Sequence, residues 1–175
     1  AHFHVEGFSL ASATKYYVRV RVRAGEEVSD YCEPGFFVTG ILRPEEWKAA
    51  FISAETEEDA DNSKGTCLGR TFSLKTDTPI REAFAFTTAL GLYNFYLNGK
   101  KVGKDELTPG WTTYKKRVLY QTYEVTEYLR AGENETAAML GAGWYKGLMG
   151  ICKRRNNYGK QTAFLMQMVV RYEDG

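Results

Sequence analysis

The sequence predicts an all-β protein, and three observations support that prediction. Residues 92–97 alternate between two faces and end in Asn98-Gly99, a pair that accepts positive φ and favours tight hairpin turns. From Arg70 onward, nearly every apolar stretch has the period of two that is typical of strands. Residues 162–172 alternate most cleanly, and their apolar face consists of Phe164, Met166, Met168, Val170 and Tyr172.

Length and composition indicate a globular chain of one to one and a half ordinary domains. The 175 residues are 43% hydrophobic and 14% aromatic, which is ample for a core and argues against disorder. A net charge of +1 gives no general attraction to nucleic acid or to an anionic membrane. No apolar run approaches the ~20 residues that span a bilayer. We therefore expect neither nucleic acid nor membrane as a partner.

Three cysteines, Cys32, Cys67 and Cys152, are odd in number and widely spaced. No two of them have the spacing of zinc ligands, so we expect no metal site. Reduced thiols, together with the absence of a signal-like segment, favour a cytoplasmic protein. One disulfide with a free third thiol is the alternative.

The first forty residues predict two strands, at residues 16–23 and 35–40. Two strands with a short lead-in cannot bury a core of their own. We expect them to be part of a sandwich whose earlier strands are missing, leaning on the following domain or on another copy of the chain. Asp174-Gly175 predicts a hairpin turn that no partner strand follows, so we expect a chain cut at both ends.

Between residues 41 and 64 the sequence indicates a linker. Residues 43–50 predict a short helix, with Pro44 near its first position and acidic residues in its first turn. Residues 55–65 are acidic and polar, which predicts a solvated surface loop. A calcium site is the alternative there, but the EF-hand spacing is absent.

Residues 65–175 predict a succession of strands interrupted by one short helical segment. One or two helical turns are expected at residues 126–132, capped by Thr126 and stopped by Gly132. The predicted strands are residues 71–74, 82–88, 92–97, 100–102, 117–123, 136–140 and 162–172.

No catalytic constellation emerges from the sequence. His2 and His4 lack the third ligand that a metal site needs, and no histidine is near a cysteine in a structured region to act as its base. A pair of carboxylates across a cleft cannot be read from spacing alone. The glycines of residues 141–147 lack the dinucleotide-binding spacing, so we expect no cofactor. A basic group, formed by residues 153–155 with Lys146 and Lys160, is interpreted as a solvated loop rather than a nucleic-acid patch, because the net charge is close to zero. A phosphate or uronate contact is the alternative for this group.

Four aromatic residues stand beside glycines or polar residues rather than within strands: Trp111, Tyr114, Trp144 and Tyr145. Flat rings on loops stack on the C–H face of a sugar, so these four residues are the candidate carbohydrate-binding site. The competing interpretation is that the two tryptophans close the ends of the sandwich or face a neighbouring domain. Both interpretations stay open at this point.

These motifs also carry a family resemblance. One of them is Thr108-Pro109-Gly110-Trp111. The other matching stretches are residues 93–99, 112, 114, 116–123, 125–126, 132–134 and 143–145. In this order they resemble the N-terminal β-sandwich of bacterial α-L-rhamnosidases, which are large inverting glycoside hydrolases. The likeness covers roughly residues 41–175, and residues 16–40 resemble the end of the fibronectin-type module that precedes it.

The resemblance implies a jelly-roll, galactose-binding-like sandwich at residues 65–175, truncated at its C-terminus. It implies part of a fibronectin-like sandwich at residues 1–40. The parent enzyme would hydrolyse terminal α-L-rhamnosides with carboxyl groups located in a helical catalytic domain. The chain itself is then expected to be a non-catalytic accessory domain with that catalytic domain as its partner. The alternatives are a module that itself binds rhamnose-containing glycans and a protein-interaction sandwich.

Overall fold

The computed structural model describes residues 7–54, 64–150 and 153–175, which fall into two units, Ala1–Trp47 and Lys48–Gly175. Regular structure in both units is almost entirely antiparallel β-strand, so the all-β prediction is confirmed. Most of the acidic stretch at residues 55–65, together with Cys152, lies outside the described residues. In the described ranges, no helix has the length and apolarity needed to cross a membrane.

The first unit contains two short antiparallel pairs. Strand β1 (Lys15–Val18) pairs with β4 (Gly35–Val38), and β2 (Arg23–Ala24) pairs with β3 (Glu27–Val28). The predicted strand at residues 16–23 is therefore interrupted. Between β1 and β2 the backbone makes irregular bonds instead, such as that from the Cys32 amide to the Val20 carbonyl (2.8 Å).

The predicted helix at residues 43–50 is a single 3-10 turn, Pro44–Glu46. Pro44 lies in its first turn as expected, but Arg43 provides no side-chain cap at the start of the turn. Trp47 has an extended backbone, which ends the helix. Without a cap, such a short sequence does not sustain a longer helix.

The second unit is a sandwich of two antiparallel sheets. The four-stranded sheet has the order β5-β10-β7-β8, and the three-stranded sheet has the order β11-β6-β9. The strands are β5 (Thr66–Leu74), β6 (Ile80–Leu90), β7 (Leu92–Leu97), β8 (Lys100–Lys101), β9 (Gln121–Glu124), β10 (Gly132–Gly141) and β11 (Ala163–Tyr172). Strand β9 is shorter than the predicted strand at residues 117–123.

Aromatic rings fill the space between the two sheets. The ring centroid of Phe164 on β11 lies 5.4 Å from that of Tyr93 and 6.1 Å from that of Phe95, both on β7. The facing positions of β6 are small, Ala83, Ala85 and Ala89, which leaves room for these rings. Because side chains alternate along a strand, Phe84 and Phe86 lie on the other face of β6, where they are also fully buried.

The hairpin between β7 and β8 forms as predicted, with Asn98 at φ 48° and Gly99 at φ 77°. The predicted helical segment at residues 126–132 is shorter, a 3-10 turn over Thr126–Tyr128. Thr126 does not cap it, which corrects the sequence prediction. Instead, its hydroxyl accepts a hydrogen bond from the Ala83 amide (2.9 Å) and ties the turn to β6.

An asparagine pair, the buried Asn134 and the half-buried Asn98, fastens this hairpin to β10. The Asn98 Nδ2 donates to Asn134 Oδ1 (2.8 Å), and Asn98 Oδ1 accepts from the Glu135 amide (2.9 Å). The Asn134 Nδ2 donates to the carbonyls of Arg130 (2.7 Å) and Gly132 (2.9 Å). Asn134 is fully buried, so these bonds replace the water it would otherwise bind.

Candidate functional site

The structure brings the four predicted site residues together and adds a fifth, Tyr158. We call this group the aromatic cluster. Trp111 and Tyr114 lie in the loop between β8 and β9, and Tyr158 lies in the loop before β11. Trp144 and Tyr145 lie on the single-turn helix α1 (Gly143–Lys146), which follows β10.

The loop that carries Trp111 is held against β7 by Thr108. The Tyr93 amide donates to the Thr108 carbonyl (3.0 Å), and the Thr108 hydroxyl donates to the Tyr93 carbonyl (2.8 Å). Gly110 then turns the chain at φ 92°, a conformation that favours glycine. Trp111 therefore directly follows the sharp turn at Gly110, close to the buried Thr108 that holds the loop.

Helix α1 is positioned by Gly143. This residue has φ 48°, and a Cβ there would lie 2.6 Å from Leu92 Cγ. Only glycine allows the chain to approach β7 this closely while turning into the helix. Gly143 therefore permits a sharp turn immediately before Trp144 and Tyr145.

The two tryptophans form a parallel pair. Their ring centroids are 6.2 Å apart and their planes differ by 6°. Trp111 is 55% exposed, and its Nε1 donates to the Tyr158 hydroxyl (3.1 Å). Stacking and this hydrogen bond together orient an indole that remains open to solvent.

The tyrosines form the base of the cluster. Tyr114 is only 8% exposed, and its ring lies 5.1 Å from Tyr145 and 4.9 Å from Tyr158. Its hydroxyl donates to the Gly110 carbonyl (3.2 Å). Burial raises the pKa of both Tyr114 and Tyr145, so these hydroxyls stay neutral hydrogen-bonding groups. Tyr114 thus supports the rings around it, while Trp111 faces solvent.

Sequence reasoning did not select Tyr158, although the signal was present. Tyr158 precedes Gly159, and an adjacent glycine also marked Trp111 and Trp144. A Cβ at Gly159 would lie 2.1 Å from the Tyr145 hydroxyl, so the glycine lets Tyr145 enter the cluster. The Tyr158 amide also donates to the Tyr145 carbonyl (3.2 Å), which joins this loop to α1.

A second candidate surface lies on the outer face of the four-stranded sheet. It is a recess of about 220 Å³, which we call the outer-sheet recess. Met139, 53% exposed, and the exposed thiol of Cys67 are its most accessible apolar groups. The full lining is Cys67, Tyr96, Gly99, Glu135, Ala137 and Met139.

The described residues offer no cluster of three or more His, Cys, Asp or Glu side chains that would hold a metal ion. Cys32 and Cys67 are both free thiols. The two candidate surfaces consist mainly of aromatic and apolar side chains, with Glu135 at the outer-sheet recess.

The chain matches a known protein family and is similar in sequence to two α-L-rhamnosidases. A family described as "Alpha-L-rhamnosidase N-terminal domain" matches residues 78–175. The chain is 31% identical over 175 residues to an α-L-rhamnosidase of Alteromonas sp. (strain LOR), covering 97% of this chain and 19% of that protein. It is 49% identical over 96 residues to one of Streptomyces avermitilis, covering 55% of this chain and 9% of that protein.

A solved structure agrees with these matches. The native α-L-rhamnosidase of Aspergillus terreus superposes with a TM-score of 0.86 at 31% identity. The match covers 95% of this chain and 20% of that enzyme. The chain therefore spans about a fifth of the length of a relative that it matches almost end to end.

Proposed function

The chain belongs to the α-L-rhamnosidase N-terminal domain family, and from this premise we propose that it is a non-catalytic accessory sandwich. In this proposal it packs against the helical catalytic domain of the same polypeptide. That domain hydrolyses terminal α-L-rhamnosides, with one carboxylic acid protonating the leaving oxygen and a second carboxylate activating water. The domain boundaries at residues 40 and 64 belong to the same proposal.

The outer-sheet recess is the observation that supports packing. The solvent face of an antiparallel sheet is normally polar, whereas here Met139 and Cys67 are exposed around the small residues Gly99 and Ala137. Exposed apolar surface of this kind is typical of a contact with another domain. Because the relatives are about five times as long, the rest of such a polypeptide is the occupant to which we assign the recess.

The exposed thiol of Cys67 tests this assignment directly. We expect Cys67 to react rapidly with a maleimide in the 175-residue chain, and at least about tenfold more slowly in a polypeptide that includes the catalytic domain. Cys32, which is also exposed, serves as the reference thiol, and peptide mapping by mass spectrometry separates the two. Equal reactivity of Cys67 in both proteins would contradict packing at this recess.

The non-catalytic role has a separate test. The 175-residue chain is expected to release no p-nitrophenol from p-nitrophenyl α-L-rhamnopyranoside, while a polypeptide that includes the catalytic domain does. Release by the chain alone, persisting through repeated purification, would overturn this part of the proposal.

A second candidate function is carbohydrate binding at the aromatic cluster. The parallel Trp111–Trp144 pair favours it, because an oriented and exposed indole is suited to stacking on a sugar ring. Titration with rhamnose and rhamnosides should change tryptophan fluorescence in the wild-type chain and not in Trp111→Ala or Trp144→Ala. An unresponsive wild-type chain would count against binding of these sugars.

A further inference from the structure

We infer that the aromatic cluster binds an anionic glycan, with a pyranose ring stacked on Trp111 and the sugar carboxylates held by basic residues of the surrounding loops. This inference rests on the carbohydrate-binding candidate and adds the charge class of its ligand. Two loop regions supply the cluster, residues 107–120 and the described residues between 142 and 162, and we call them the site loops.

Charge in this chain is strongly segregated. The site loops contain eight of the 23 basic residues and none of the 22 acidic residues. The remaining 15 basic and 22 acidic residues therefore give the rest of the chain a net charge of −7. The overall charge of +1 conceals this separation, which concentrates positive potential around the aromatic cluster.

Most of these positive charges are available to a ligand. Five of the eight side chains form no ion pair with a described residue. All five belong to exposed residues. They are Lys115, Lys116, Arg117, Lys153 and Arg154.

The backbone keeps these charges close to the rings. Lys115 directly follows Tyr114, and the amides of Lys116 and Arg117 both donate to the Thr113 carbonyl (2.7 and 3.0 Å), which makes a tight turn. On the second loop, the Asn156 amide donates to the Lys146 carbonyl (2.9 Å), so residues 153–155 are tied to α1.

The ring geometry favours a sugar over a ligand that needs the indole N–H. The Nε1 of Trp111 already donates to Tyr158, so the exposed part of Trp111 offers a ring face rather than a donor. A pyranose presents a C–H face to such a ring and leaves its substituents for other contacts. The lysine and arginine side chains then supply the donors, and a uronate carboxylate is the matching acceptor.

The test compares two ligands that differ only in charge. Oligogalacturonides and their carboxyl-reduced, neutral counterparts are titrated into the 175-residue chain by calorimetry. We expect the reduced ligand to bind at least about tenfold more weakly. Raising NaCl from about 0.05 to about 0.5 M should weaken the uronate complex to a similar extent, because salt screens exposed ion pairs.

Two triple variants, each of which removes three positive charges, test the role of the basic residues. The first lies within the site loops, and the second lies outside them and is the control. The triple variant Lys115→Gln, Lys116→Gln, Arg117→Gln should lower the affinity at least about tenfold. The triple variant Arg70→Gln, Arg81→Gln, Lys100→Gln removes the same charge from exposed residues outside the site loops and should leave binding unchanged. Trp111→Ala should abolish binding while the thermal unfolding midpoint stays close to that of the wild type.

Each other outcome has a definite meaning. Equal binding of charged and neutral ligands keeps the carbohydrate-binding function and overturns the anionic class. Binding of neither ligand overturns both and leaves the accessory role, which the Cys67 labelling tests separately. A single-stranded DNA oligonucleotide that binds as tightly, with the same dependence on Trp111, overturns the assignment to a glycan, because bases also stack on aromatic rings.

Discussion

The sandwich interior and the aromatic cluster are built from similar ring contacts but differ in exposure. In the interior, Phe95 lies 6.1 Å from Phe164 and 6.5 Å from Tyr123. In the cluster, Trp111 lies 6.2 Å from Trp144. Phe95 is 1% exposed and Trp111 is 55% exposed. Ring contacts at similar distances therefore stabilise the fold in the first region and leave an exposed aromatic surface in the second.

The hydroxyl groups differ between the two regions in the same way. The Tyr93 hydroxyl is buried and has two internal partners at 2.7 Å, the Thr87 hydroxyl and Gln121 Oε1. The Tyr158 hydroxyl instead accepts the Nε1–H of the exposed Trp111. Interior polar groups satisfy one another, whereas the cluster uses its polar group to orient a ring that faces water.

Removing one ring from each region should give the largest difference in the free energy of unfolding. Phe164→Ala should lower the free energy of unfolding by about 3–5 kcal/mol, because a buried ring is lost and a cavity remains. Trp111→Ala should cost less than about 1 kcal/mol, since its ring is largely solvated already. Urea unfolding followed by circular dichroism measures both, and equal losses would contradict the comparison.

A matched glycine pair tests how tightly the interior is packed. Gly103 and Gly99 both have φ near 76°, at +75° and +77°. A Cβ at Gly103 would lie 2.4 Å from the Tyr123 ring, whereas a Cβ at Gly99 meets nothing within 4 Å. Gly99→Ala should cost about 1 kcal/mol from backbone strain alone, and Gly103→Ala about 2–3 kcal/mol from strain and overpacking. Thermal or urea unfolding of the two variants distinguishes these costs.

Alkaline pH should weaken the interior through Tyr93. Burial raises the folded-state pKa of Tyr93, so the unfolded chain loses this proton first as the pH rises. The stability that depends on neutral Tyr93 is complete below about pH 10 and falls above it by up to about 1.4 kcal/mol per pH unit. Tyr93→Phe should be less stable at neutral pH, because its hydrogen bonds are lost, but its stability should fall less steeply above pH 10. Parallel slopes in the two proteins would show that another group causes the alkaline loss.

The smallest effect is expected within the aromatic cluster itself. Tyr158→Phe removes the acceptor of the Trp111 Nε1–H, and at an exposed site this should cost only about 0.5–1 kcal/mol. The indole should also become more mobile, which fluorescence anisotropy measures. Tyr31→Phe, at an exposed tyrosine outside the cluster, is the control and should leave both quantities unchanged.

Strand periodicity predicted the sandwich well because it is a local property. Strands β6, β7 and β11 and the Asn98-Gly99 turn were all visible as alternation or turn chemistry. Periodicity did not indicate that Phe84 and Phe86 would lie on the face opposite the sandwich interior. That outcome depends on Phe164 and Tyr93 filling the space opposite the β6 alanines, which are contacts between distant parts of the chain.

The candidate site shows the same division between local and long-range information. Glycine or polar neighbours identified four of the five aromatic residues, but nothing local indicated that Trp111 and Trp144 would lie parallel. Net charge alone does not show that the site loops are basic and the remainder of the chain acidic, since it averages the two. Thr126 shows the limit of a capping rule, because a long-range partner, the Ala83 amide, takes the hydroxyl that would cap the turn.

The burial of Asn134 has a practical consequence for producing the protein. Asn134, Glu135 and Thr136 form an acceptor sequence for N-linked oligosaccharides. In the folded chain the Asn134 side-chain nitrogen is already committed to two carbonyl groups and is shielded from solvent. A yeast or mammalian secretion host would attach the oligosaccharide to the nascent chain before β10 is in place. The modified side chain could not then enter the sandwich, so a bacterial host or an Asn134-preserving Thr136→Val variant is the better route to material.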